Sequence, residues 1–156
     1  MNQCELCGSA SIREKRVKDY AYQTPMGLVT IDGDSVFEEC EKCGETLISG
    51  NLINEWNNLI LKTLSIKRGL FSKQELQFIF SVLPYSQNDL AKATGRERST
   101  LTRYKTGENP IDLLFADELQ QIIRDHISGN ETTIQRLRDR TQFRFEDEAI
   151  RRLKVR

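Results

Sequence analysis

Short β-prone runs occupy the first forty residues, and from residue 51 apolar side chains recur at every third or fourth position. That change of period predicts a small β region followed by helices. Ile12-Arg13-Glu14-Lys15-Arg16-Val17 and Gly27-Leu28-Val29-Thr30-Ile31 read as strands, and Asp32-Gly33-Asp34 as a turn. Ser35-Val36-Phe37-Glu38-Glu39 extends from that turn toward a cysteine pair, completing a small antiparallel sheet. Tyr20 and Tyr22 suit either core or a binding surface, and at least one is assigned to the core. Leu52, Ile53, Trp56, Leu59, Ile60 and Leu64 predict a helix over 51–66. Its stripe is a packing face, against the sheet, the next domain or a second subunit, and not a cofactor box. Lys67-Arg68-Gly69 follows as a stop or hinge.

Ser72-Lys73-Gln74-Glu75 is a capping box, in which hydroxyl and carboxylate satisfy amides that the first helical turn leaves open. It opens a helix with Leu76, Ile79, Phe80 and Leu83 on one face, closed by Pro84. Ser86 starts a second short helix that runs to Gly95, and a third runs from Arg96 to Gly107. Leu90, Ala91, Leu101 and Tyr104 are the expected core positions, Gly95 the turn and Gly107 the cap, with Asn109-Pro110 preventing continuation. This order of short helix, glycine turn and short polar helix is a helix-turn-helix pattern. Leu114, Phe115, Leu119, Ile122 and Ile123 predict a further amphipathic helix, with the single histidine, His126, placed at its end beside the helix dipole. Gly129-Asn130 breaks the chain, and short helices near 132–140 and 146–154 are expected in an Arg-rich tail. That tail folds onto the helices, pairs with another subunit or adds phosphate contacts; the pattern does not choose among these, and partial disorder is the plain alternative. The expected segments are therefore 1–66, a β domain with its connecting helix; 67–128, the helix-turn-helix domain; and 129–156, a basic extension.

Total charge is uninformative, with 23 Lys+Arg balancing 23 Asp+Glu in 156 residues. Its distribution is not. Residues 1–66 carry 6 basic and 10 acidic side chains, 67–126 carry 9 and 8, and 127–156 carry 8 and 5. An acidic first part and a basic last part suggest different surfaces for different partners. The start of the chain has neither a basic region nor an apolar leader, and no run is long enough to span a membrane. A cytoplasmic location is therefore expected.

Four cysteines form two C-x-x-C-G pairs, Cys4/Cys7 before Gly8 and Cys40/Cys43 before Gly44. Thiolates three positions apart grip one ion from a tight turn, and the glycine allows that turn a positive φ. Two such turns supply a closed tetrahedral site, expected to hold one structural Zn2+ through Cys4, Cys7, Cys40 and Cys43. A rubredoxin-like iron site and redox thiols remain alternatives, while paired disulfides would require an oxidising compartment. No open metal position, nucleophile–base pair or phosphate-cradling loop is visible, so an enzyme is not expected and neither is a small-molecule substrate.

The helix after Gly95 has the composition that a DNA major groove calls for. Arg103 suits bidentate contact with guanine, and Ser99, Thr100 and Thr102 suit bases or phosphates. Arg96, Arg98 and Lys105 add positive charge, and Gln87 sits at the first turn of the preceding helix, where a phosphate contact is expected. The plain alternative is a solvated charged face on an ordinary helical domain.

The order of these features resembles the MqsA/YgiT-type antitoxins over about residues 1–126. The paired cysteine knuckles, Val17-Lys18-Asp19-Tyr20 and the run Ser99-Thr100-Leu101-Thr102-Arg103-Tyr104-Lys105-Thr106-Gly107 carry the likeness. The resemblance implies an α+β chain: a small zinc-bound antiparallel β domain, then an all-α Xre/Cro-type helix-turn-helix domain. It also implies a homodimeric repressor that binds a double-stranded operator and neutralises a cognate RNase toxin, with base contacts at Ser99 and Arg103. Ser99 stands where the family often has Asn, and Lys105 where it has an acidic residue. The alternative function is a zinc-containing regulator of a phage or mobile element, with no toxin partner.

Overall fold

The computed structural model describes residues 3–142. These residues form two compact units, divided between Ile60 and Leu61. In the first, β1 (Ile12–Thr24), β2 (Gly27–Cys40) and β3 (Thr46–Leu47) make an antiparallel sheet in the order β1-β2-β3. The hairpin turn is Pro25-Met26, between the paired Thr24 and Gly27. Thr24 closes it locally: its hydroxyl donates to Gly27 O at 2.8 Å and accepts from Met26 N at 3.1 Å.

Asp32-Gly33-Asp34 is therefore not a turn. Lys18 pairs with Asp34 and Tyr20 with Ile31, so Asp32 and Gly33 together oppose the single Asp19 in a β-bulge. Asp19 adopts φ +52° and Gly33 φ +101°, and the Asp19 carboxylate accepts from Gly33 N at 3.0 Å. The bulge shifts the inward phase of β1, so Val17, Tyr20 and Tyr22 all pack on the same core. That core is Ile31, Phe37 and Trp56, with Leu52 and Trp56 supplied by the first helix, α1 (Gly50–Ser65). Tyr20 stacks on Trp56 at 5.1 Å and meets Phe37 edge-on at 5.0 Å. Tyr22 also lies against Trp56 and donates to Asn57 Oδ1 at 3.1 Å, so both tyrosines belong to the core.

The second unit comprises the end of α1 and α2 (Lys73–Val82), α3 (Gln87–Thr94), α4 (Arg98–Thr106), α5 (Leu113–Ile127) and α6 (Thr132–Gln142). The capping box expected at Ser72 forms with Glu75, and a second, Ser86 with Asp89, opens α3. Gly95 and Gly107 take left-handed conformations at the ends of α3 and α4, where a Cβ would be strained. On α2, Phe78 is buried beside Leu76 and Ile79, while Phe80 of the predicted stripe is only half-buried. Leu90, Leu101, Phe115, Leu119, Ile122 and Ile123 are almost fully enclosed. Each such side chain contributes about 1.5–3 kcal/mol by leaving water.

The sequence divides the chain after residue 66, whereas the compact units divide at 60/61, inside α1. Residues of α5 hold the last turn of α1 and the loop after it. Arg124 donates to Ser65 O at 2.8 Å and Gln120 to Lys67 O at 2.9 Å, while the Lys67 ammonium reaches Glu75 at 2.7 Å. Lys67-Arg68-Gly69 is thus a pinned stop. Residues 132–142 of the tail fold onto α3 and α5 as α6, burying Ile134 and Leu137. The Asp125 carboxylate accepts from Thr133 N at 2.7 Å, so the end of α5 caps the start of α6. The helix expected near 146–154 lies outside the described residues. No helix among the described residues is long and apolar enough to cross a membrane.

Candidate metal centre and an exposed helix face

The two cysteine knuckles are built alike. Gly8 N donates to Cys4 O and Gly44 N to Cys40 O, each at 2.8 Å. Cys4 N donates to Ser9 O and Cys40 N to Glu45 O, again at 2.8 Å. Gly8 and Gly44 have φ of +69° and +75°, the conformation that the repeated glycine permits. The first knuckle precedes β1 and the second ends β2, so the hairpin brings them together. All four Sγ atoms lie within 4.8 Å of one another, with Cys4–Cys43 and Cys7–Cys40 at 3.6 Å. A tetrahedral ion with bonds of about 2.3 Å to sulfur separates its ligands by about 3.8 Å, so the donor set fits one ion. None of the four is disulfide-bonded.

The electrostatics ask for a cation. Amides of Cys43 and Lys42 draw the Cys40 thiol down to about 6, against the effect of burial. The Glu45 amide favours the Cys43 thiolate, but burial and the crowding sulfurs of Cys40, Cys7 and Cys4 prevail and push it up to about 12. Four sulfurs this close ionise together only around a positive charge. With all four protein ligands in place, the coordination shell is closed, which suits a structural ion.

In the second unit, α3 is followed by the left-handed Gly95 and then by α4. Leu101 and Tyr104 of α4 are buried, whereas Arg98, Ser99, Thr102, Arg103 and Thr106 are exposed. At about 100° per residue those five positions share one face. Ser99 Oγ donates to Glu97, and Arg103 lies 3.9 Å from the exposed Glu108. Gln87 Nε2 donates to Thr102 Oγ1 at 2.8 Å and to Arg98 O at 3.3 Å, fixing the first turn of α3 to α4.

Three residues expected at a DNA contact are less exposed than the five on that face. Arg96 is turned inward, with its side chain 14% exposed. It donates to Asp112 at 2.9 Å, Glu118 at 2.7 Å and Thr94 O at 3.1 Å, and lies 4.8 Å over the Phe115 ring. Its charge is consumed inside the helical unit, which removes it from the candidate contacts. Thr100 is half-buried and lies off the exposed face, and Lys105 is half-buried at its margin, next to Arg98.

Asp112, which the sequence pattern did not single out, organises this region. Its carboxylate accepts from Arg96, from Tyr104 Oη at 2.7 Å and from Phe115 N at 2.8 Å, capping α5. The available signal was an N-cap residue immediately before an apolar helix. Thr106 was likewise missed, although its spacing from Arg98 and Thr102 marks the same face. No family model, curated protein or solved structure matches the chain, so the case for function rests on these arrangements.

Proposed function

We propose that the chain is a sequence-specific DNA-binding repressor with one structural Zn2+ on Cys4, Cys7, Cys40 and Cys43. The observation that carries this reading is the exposed face of α4, set behind α3 by the Gly95 turn. Arg98, Ser99, Thr102 and Arg103 there supply cationic forks and hydroxyls on one helix surface, the chemistry that reads bases and holds phosphates in a major groove. Arg103 is the proposed base reader and Arg98 a phosphate contact, with Ser99 and Thr102 reaching either. Gln87 positions α4 through its two hydrogen bonds, which occupy both of its amide hydrogens.

One short helix reads few base pairs, so useful specificity calls for a homodimer on a palindromic operator. The four-thiolate donor set favours zinc over harder ions. The likeness to the MqsA/YgiT-type antitoxins adds the partner: the acidic first unit binds an RNase toxin, and the chain represses its own operon from the cytoplasm. No catalysis is proposed. The test is fluorescence anisotropy of the full chain on DNA from its own promoter region and on a shuffled control. Tight binding to the promoter alone, with log affinity falling linearly in log salt, supports the reading. Equal binding to both DNAs, or affinity indifferent to salt, sinks it.

A further inference from the structure

A cavity of about 190 Å³ lies beside the first cysteine knuckle, lined by Glu5, Glu38, Leu47, Ile48 and Ser49. Leu47 and Ile48 supply its apolar wall and are half-buried; Ile48 packs on the Ile31–Phe37–Trp56 core, which fixes that wall in place. Glu5 and Glu38 are exposed, and the carboxylate of neither forms a hydrogen bond or ion pair with a described residue. Glu14 stands directly opposite Glu38 in the ladder, and its carboxylate likewise has no partner among the described residues. Like charges facing each other across strands destabilise a sheet. No cation among the described residues closes on these carboxylates. Arg13 and Lys15 are both committed to Glu39, and Arg16 stands opposite Val36 without an ion pair. Facing carboxylates with no internal ion pair, beside an apolar pocket, suit a cationic group from outside.

We propose that this pocket receives a lysine or arginine side chain from a partner protein. The methylenes lie along Leu47 and Ile48, and the cationic head meets Glu5 and Glu38, with Glu14 adding to the attraction. Both features are needed, because a simple cation gains nothing from the apolar wall and a purely apolar group wastes the carboxylates. The inference rests on the reading of the first unit as a protein-binding module, and it names the contact chemistry that reading lacks.

The test uses the full zinc-loaded chain, labelled with nitrogen-15 and titrated with N-acetyl-arginine amide, N-acetyl-lysine amide and, as control, N-acetyl-norleucine amide. The arginine and lysine probes are expected to shift the Leu47, Ile48 and Ser49 amides with a dissociation constant on the order of millimolar. In the exposed-site variant Glu5→Gln/Glu38→Gln that affinity falls about fivefold, while the remaining spectrum reports an unchanged fold. An equal response to norleucine amide, shifts confined to other regions, or full affinity in the variant overturns the proposal. Capture of a partner whose affinity ignores the double variant also overturns the pocket while leaving the module reading intact. A pocket response with no co-purifying protein counts against the module reading alone.

Discussion

Arg96 and Arg103 carry the same charge within one short stretch of chain, yet their surroundings give them different work. Arg96 is held by Asp112, Glu118, Thr94 O and the Phe115 ring, whereas the exposed Arg103 makes, among the described residues, a long contact to Glu108. Arg96→Ala is therefore expected to lower stability by about 1–3 kcal/mol, the range for lost hydrogen bonds between charged groups. Arg103→Ala should leave stability within about 0.5 kcal/mol and cost about 1–3 kcal/mol of promoter binding with relaxed base preference. Urea denaturation and anisotropy on the two variants separate these roles, and an exchange of the two outcomes would reverse the assignment. Asp112 adds a pH dependence. Burial works to raise its carboxyl, but hydrogen bonds from Arg96, the Phe115 amide and the Tyr104 hydroxyl outweigh burial and hold it below its ordinary value. A carboxylate depressed in the folded state stabilises above its unfolded value, near 3.9, and loses that contribution as pH falls through the lower folded value. Helical-unit stability is thus expected to decline below about pH 4, and Asp112→Asn should lessen the decline in acid titrations followed by circular dichroism. A variant with an undiminished acid response would assign the effect to other carboxylates.

At the scale of the element, the two long strands depend on one irregularity. Gly33 lies at φ +101° opposite Asp19, and that step lets Val17 and both tyrosines face the core. Gly33→Val should therefore destabilise the first unit by about 1 kcal/mol or more, because a β-branched side chain is strained at that φ. Thermal unfolding followed by Trp56 fluorescence measures it, and an unchanged midpoint would show that the bulge tolerates a side chain. This same irregularity marks where sequence reasoning stopped. Asp-Gly-Asp and Pro-Met both carry turn chemistry, and only the pairing of the distant Tyr20, Phe37 and Trp56 decides which reverses the chain. The caps at Ser72 and Ser86 were legible because donor and acceptor lie three residues apart. The knuckles were legible because spacing and glycine are local requirements. The exposed face of α4 was only partly so: Arg98 and Arg103 do lie exposed on it, but Arg96 was indistinguishable from them without Asp112 and Glu118 in space.

For the whole molecule, the division at residues 60/61 predicts separate responses to metal loss. Chelation, or Cys40→Ser, is expected to disorder the sheet unit while α2 to α6 keep their helical signal, as read by circular dichroism and Trp56 fluorescence together. Loss of the helical signal in step would refute two separately stable units. The position of the knuckles also sets an order of events during folding. They sit at the open end of the hairpin, and the reversal at Pro25-Met26 sits at the other. Uniting the knuckles in an unpaired chain means closing the whole intervening loop at an entropic cost that grows with its length. Zipping from Thr24 and Gly27 advances instead through a series of short closures and delivers the second pair of sulfurs last. The ion then acts as a latch on a completed ribbon, and its rate of capture becomes a clock for the hairpin. Gly27→Val, at φ +104° and a full strand away from the sulfurs, should slow cobalt uptake in stopped-flow absorbance without altering the final tetrahedral spectrum.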